Sequence, residues 1–131
     1  MDQKIIEEKI QTAKKAALNA YAPYSKFRVG CVVETHAGNF YEGCNVENIS
    51  YGLACCAERT AIFKAASTEG PSMKLKHVFV AMADHKEGAP CGACRQVIAE
   101  FDESTMVYFK LGGETKTMTV SQLLPCNFDK L

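Results

Sequence analysis

The chain has 131 residues, 47% of them apolar and 23% charged, with fifteen basic side chains against fifteen acidic ones. That length predicts one domain over residues 1–131, able to bury about 70% of the surface its unfolded chain exposes without disulfide staples. The balanced charge excludes an electrostatic nucleic-acid partner, because no basic excess exists to neutralise phosphates, and points to a small neutral ligand.

Ile6, Ile10, Ala13 and Ala17 recur at helical spacing, so residues 4–19 read as one amphipathic helix. No apolar h-region opens the chain and no apolar run approaches ~18 residues, so neither a signal peptide nor a membrane span is expected; the expected compartment is the cytoplasm. Tyr21-Ala-Pro-Tyr-Ser25 breaks the helix. Residues 27–34 alternate, with Phe27, Val29, Cys31 and Val33 to one side, and read as a strand. A turn at 36–39 returns the chain as a second strand over 40–46, and 45–51 is polar and irregular. A helix follows from about Cys55 to Ala66, with Ala57, Ala61, Ile62 and Ala65 inward.

After a loop with Gly70 and Pro71, the run V-F-V-A-M-A within 76–83 suits a buried central strand. Pro90 opens another helix, with Cys91, Cys94, Val97, Ile98 and Phe101 on its inner face. Strands at 106–111 and 116–120 flank Gly112-Gly113, and Ser121 is placed to cap a short last helix. The order gives an α/β fold, one sheet with helices packed on its faces.

Chemistry concentrates in the seven cysteines. In a reducing compartment they are thiols or metal ligands rather than a disulfide framework. Cys91 and Cys94 form a C-x-x-C at a helix start, where positions i and i+3 share a face and the positive helix end favours thiolates. A third ligand comes from Cys55 or Cys56, not both, because adjacent helical residues diverge by about 100°. Three thiolates with an open fourth position is the arrangement of a catalytic zinc. Cys56 is preferred, because it sets Glu58 two residues on, within reach of a water at the open position. Three thiolates on a divalent ion leave one negative charge, and Arg59 is the cation placed to draw it off through hydrogen bonds to sulfur. His36, His77 and His85 fall outside this pattern and are read as solvated or structural. A structural-zinc or redox module would need a fourth protein ligand or a second C-x-x-C, which the sequence lacks.

C-A-E followed by P-C-x-x-C is the signature of zinc nucleoside deaminases, a chemistry with a known three-cysteine form. Beyond the signature, the chain closely resembles the small homotetrameric cytidine deaminases. The resemblance runs through A-P-Y-S-K-F-R-V-G (22–30), N-V-E-N-I-S-Y-G-L (45–53), C-A-E-R-T-A-I (56–62), P-C-G-A-C-R-Q-V-I (90–98) and L-L-P-C-N-F (123–128). It implies a three-layer α/β/α fold with a five-stranded mixed sheet. It implies one zinc per subunit on Cys56, Cys91 and Cys94. It implies hydrolytic deamination of cytidine and 2′-deoxycytidine, with Glu58 carrying protons from the attacking water to N3 and to the leaving amine. Phe27 would pack by base and sugar, Asn45 and Glu47 would hold the ribose 3′-hydroxyl, and the Ala57 backbone would read the base. Tyr51 and Phe128 would come from neighbouring subunits of a homotetramer with shared sites. Two positions depart from the family pattern: Ile49 and Cys31 stand where smaller residues, usually Ala, are expected.

Overall fold

The computed structural model describes residues 1–129. Helix α1 spans Gln3–Ala16. The Asp2 side chain caps it by accepting from Lys4 N at 2.8 Å, and Lys14 and Lys15 complement the carbonyl end. Ile6, Ile10, Ala13 and Ala16 form its buried stripe. The helix is shorter than the expected 4–19 because the chain tightens into a 3-10 turn at Ala17–Asn19 and becomes extended at Ala20.

Five strands form one sheet among the described residues: β1 Val29–Thr35, β2 Phe40–Cys44, β3 Leu75–Met82, β4 Met106–Leu111 and β5 Glu114–Thr119. Their order is β2-β1-β3-β4-β5. β1 pairs antiparallel with both β2 and β3, β3 runs parallel to β4, and β4–β5 is an antiparallel hairpin, so the sheet is mixed as expected. Phe27 falls just outside β1: Lys26 has a left-handed φ of 61° and Phe27 N donates to Ser25 Oγ instead of to a neighbouring strand.

Alternate strand residues face opposite ways. Val32, Phe79, Ala81 and Tyr108 pack with α1 on one face. Cys31, Val33, Val78, Val80 and Val107 form the other core with α2, Ala57–Glu69, and α3, Gly92–Phe101. Cys31 is a fully buried core residue there. The result is three layers, α/β/α. Parallel pairing of β3 with β4 requires a crossover, and α3 supplies it.

Helix starts differ from the sequence expectation in one systematic way. Cys56 and Cys91 are the N-cap residues of α2 and α3, each with extended backbone, so Cys55 and Pro90 lie outside the helices. The last helix, α4 Val120–Leu123, is capped by Thr119 rather than Ser121. Thr119 and Gln122 exchange reciprocal bonds as a capping box, while Ser121 Oγ donates to Glu103 O.

The seat of α2 is set by Gly43. A Cβ there would lie 2.5 Å from Ala61 N and 2.8 Å from Ala57 O, so only glycine lets β2 and the first turns of α2 approach this closely. Thr60 Oγ1 lies 2.8 Å from Cys44 O across the same contact.

Candidate active site

The N-termini of α2 and α3 converge and bring Cys56, Cys91 and Cys94 together, all three sulfurs within 4.8 Å of one another. Cys56 Sγ and Cys91 Sγ are 3.8 Å apart. Tetrahedral ligation at about 2.3 Å sets sulfurs about 3.8 Å apart, so the cluster has the span that zinc requires. Cys91 Sγ also accepts from Cys94 N at 3.5 Å, which orients it. Cys55 and the three histidines are not in the cluster.

Electrostatics in the cluster are uneven. Hydrogen bonding from Cys94 is the main influence holding the Cys56 thiol down to about 5; burial opposes it, and Arg59 reinforces it. Cys94 is pushed the other way, because it hydrogen-bonds to Cys56 and is buried beside Glu58. Arg59 Nη2 lies 3.4 Å from Cys56 Sγ. Its Nε is the one buried side-chain nitrogen or oxygen among the described residues without a hydrogen-bond partner, a donor not yet spent. Glu58 is 4% exposed, and burial is the main reason its carboxyl rises to about 6.

A cavity of about 410 Å³ opens against this cluster and is lined by Phe27, Asn45, Glu47, Cys56, Ala57, Glu58 and Cys91. It lies within the range of small-molecule sites, about 300–1,000 Å³. Asn45 is held at both ends of its amide: Oδ1 accepts from Val29 N and Nδ2 donates to Phe27 O, each at 2.8 Å. One Nδ2 hydrogen and one oxygen lone pair remain for a ligand. Glu47 accepts from Tyr24 N at 3.0 Å, from Ser25 N at 3.1 Å and from Ser25 Oγ. Hydrogen bonding from Ser25 is the first reason its carboxyl stays below the ordinary carboxylate value.

Tyr51 and Phe128 are not brought into this cavity within one chain. Tyr51 is 75% exposed and lines an adjoining groove with Tyr24, Glu47 and Asn48. Phe128 is 67% exposed in a separate groove, and its carbonyl accepts from Gln96 Nε2 at 2.8 Å. Sequence reasoning gave no role to Ser25, although it lies inside a quoted motif, and passed over Lys86, whose loop carries no periodic signal. Lys86 Nζ stands 5.0 Å from the centroid of the Phe27 ring.

Residues 3–110 match the model of the cytidine and deoxycytidylate deaminase zinc-binding region. The chain belongs to this deaminase family. A cytidine deaminase of Sporosarcina psychrophila is 47% identical over 129 residues, covering 95% of this chain and 92% of that protein. The crystal structure of cytidine deaminase from Burkholderia pseudomallei superposes with a TM-score of 0.85 at 40% identity, covering 98% of this chain and all of that one (100%). The Mycobacterium tuberculosis cytidine deaminase gives 0.82 at 34% identity, covering 95% and 97% of the two chains. The family's zinc-binding domain and the three-cysteine cluster agree on zinc as the cofactor.

Proposed function

We propose that this chain catalyses zinc-dependent hydrolytic deamination of cytidine and 2′-deoxycytidine to uridine and 2′-deoxyuridine with release of ammonia. The observation that carries it is Glu58, a buried carboxyl at the floor of a nucleoside-sized cavity, beside three sulfurs with zinc spacing. Cys56, Cys91 and Cys94 hold the zinc, which when bound supplies a water acidic enough to act as nucleophile near neutral pH. Arg59 donates to sulfur and spreads the surplus negative charge of three thiolates.

Glu58 takes one proton from the attacking water and delivers it to N3 of the pyrimidine, which makes C4 electrophilic as the water oxygen bonds to it; Glu58 then moves the added hydroxyl's proton to the C4 amine, the C4–N bond breaks and ammonia leaves as the C4 carbonyl forms. Phe27 packs on the nucleoside, and the Ala57 backbone at the first turn of α2 reads the base edge. Glu47 accepts from the ribose 3′-hydroxyl and Asn45 donates to it. Both side chains are already fixed by backbone partners, so they meet the sugar preorganised.

The active form proposed is a homotetramer in the cytoplasm, with Tyr51 and Phe128 completing neighbouring sites. Exposed Ile49 (80%), Tyr51 (75%) and Leu53 (69%), on the segment that follows Glu47, support association, since large apolar side chains grouped on a surface mark contact sites. All seven cysteines are free, which suits a reducing compartment. Light scattering should return four times the 14.4 kDa chain mass; a monomer with full activity would overturn shared sites.

The deciding test is the ultraviolet spectrum of cytidine incubated with zinc-loaded protein, beside Glu58→Ala and with free cytosine as a control. Loss of the cytidine band with wild type alone is expected. Wild-type protein that leaves cytidine unchanged would remove this reading.

A further inference from the structure

β3 ends at Met82 and α3 begins at Gly92, and the loop between them is held in an unusual shape. Asp84 and His85 carry left-handed φ values of 61° and 58° in succession. Non-glycine residues persist there only when their surroundings over-determine them. Here Arg28 does so. Its Nη2 donates to Asp84 Oδ1 at 2.8 Å and its Nε to Asp84 Oδ2 at 3.2 Å, a planar two-point fork. Ala83 N donates to Arg28 O at 3.0 Å. On the far side, Glu87 accepts from Gly113 N and Gly88 N donates to Lys110 O, each at 3.2 Å, tying the loop to β4 and its turn.

The consequence is the placement of Lys86. Its Nζ stands 5.0 Å from the Phe27 ring centroid, inside the about 6 Å reach of a cation–π contact. Phe27 lines the catalytic cavity and Lys86 does not, so the ammonium meets the ring from the loop side. Among the described residues Lys86 forms no ion pair within 4 Å; its charge helps to hold the Asp84 carboxyl below its ordinary value, after Arg28, and the ring its ammonium faces is Phe27. Adjacent positions 27 and 28 are thus gripped by 86 and 84 of one loop.

We infer that Lys86 is a positioning residue for substrate binding: its ammonium fixes the Phe27 ring on the cavity wall, and the Arg28–Asp84 fork holds the loop that delivers it. The inference rests on the nucleoside reading of the cavity. A ring that is set before the substrate arrives does not have to be ordered on binding, so its loss weakens ground and transition states alike. The effect therefore falls on KM and spares kcat.

Lys86→Met keeps the aliphatic stem and removes the charge. It should raise KM for cytidine about two- to fivefold, the range of a partly exposed cation–π contact, with kcat and zinc content unchanged. Lys86→Arg should restore KM. In a Phe27→Leu background, Lys86→Met should have no further effect on KM. The Phe27 ring resonances in a proton–carbon spectrum, assigned by their loss in Phe27→Leu, should move in Lys86→Met and return in Lys86→Arg.

An unchanged KM, or an equal rise in the Phe27→Leu background, would overturn the inference while leaving deamination standing. If wild-type protein does not act on cytidine, the deaminase reading falls by itself. The ring resonances then decide: unmoved by Lys86→Met, they overturn the contact as well.

Discussion

Helix α1 covers its face of the sheet with Ile6 and Ile10 against Phe79 and Tyr108, whereas α2 meets the opposite face through Ala57, Ala61 and Ala65 with Gly43 beneath it. The first contact fills space with large side chains and exchangeable volume, and it also tolerates a polar pair, His77 Nδ1 to Glu34 Oε1 at 2.6 Å. Both contacts also bring backbone onto backbone: a Cβ at Gly30 would lie 1.9 Å from Ala13 O of α1, and one at Gly43 would lie 2.5 Å from Ala61 N of α2. The two helices differ in what they carry: Cys56 and Glu58 stand at the N-terminus of α2, and the sulfurs of α2 and α3 must meet within a metal's coordination span. A helix that only covers a core can shift by a fraction of an ångström and leave the site intact. A helix that delivers one ligand to a shared ion cannot.

That contrast can be broken most severely at the site. Glu58→Ala should lower kcat for cytidine by about 10²–10⁴-fold, measured spectrophotometrically, while metal analysis still finds one zinc per chain. Retained turnover would place the proton transfer elsewhere. Removing zinc with a chelator, or replacing Cys94 with Ala, should abolish turnover. Added zinc should restore the chelated protein and not the Cys94→Ala variant, because only the first keeps its ligands.

Two packing substitutions sharpen the comparison. Ile10→Ala on the α1 face should cost about 2–5 kcal/mol of stability in urea melts, with zinc content and KM unchanged in the folded protein. Gly43→Ala adds a single methyl group, yet it should cost about 1–3 kcal/mol and lower zinc occupancy as well, because the new Cβ pushes α2 away from β2. If both variants keep their zinc, the two faces are equivalent and the account of α2 is wrong.

Arg59→Gln should reduce zinc affinity about 10–100-fold in a competition titration, through lost support of Cys56.

The smallest effect belongs to the opposite end of α2. There Glu69 accepts from Thr35 Oγ1 at 2.7 Å and from Asn39 Nδ2 and Tyr41 OH at 3.0 Å. These bonds, Asn39 first, hold its carboxyl below its ordinary value of 4.5. A carboxyl lowered in the folded state contributes stability above its unfolded pKa and loses it as pH falls through the folded one. Glu69→Gln should therefore lower the urea midpoint slightly at pH 7, and the difference should shrink on acidification below about 4.5. A difference that grows in acid would contradict this sign.

Helix α1, the strands and both halves of the cysteine cluster were legible along the chain. Each rests on a local rule: apolar period, alternation, or a ligand pair spaced by one helical turn. Choosing Cys56 over Cys55 was also a local argument, from its distance to Glu58, and Cys56 is the one that joins Cys91 and Cys94 in space.

The helices start two residues later than Cys55 and Pro90 suggest, because a cysteine serves as the N-cap of each. The cap position is what points both thiols off the helix ends and toward each other. Ser121 is the right residue type for a cap, but Thr119 holds the position because Gln122 answers it across the first turn.

The sequence alone determined the chemistry available here: three thiols and a carboxylate in an order that matches a deaminase, with no charge excess to hold a polyanion. Tertiary structure alone decided how the groups meet. The 3.8 Å between Cys56 and Cys91 spans 35 residues of chain, the seat of α2 depends on a glycine in another element, and Lys86 stands 5.0 Å from the Phe27 ring on a loop whose Asp84 pairs with Arg28 across 56 residues. Local pattern governs which side chains a segment presents. Contacts between distant segments exist only once the sheet has closed, because packing and long-range hydrogen bonds, not spacing, fix those distances.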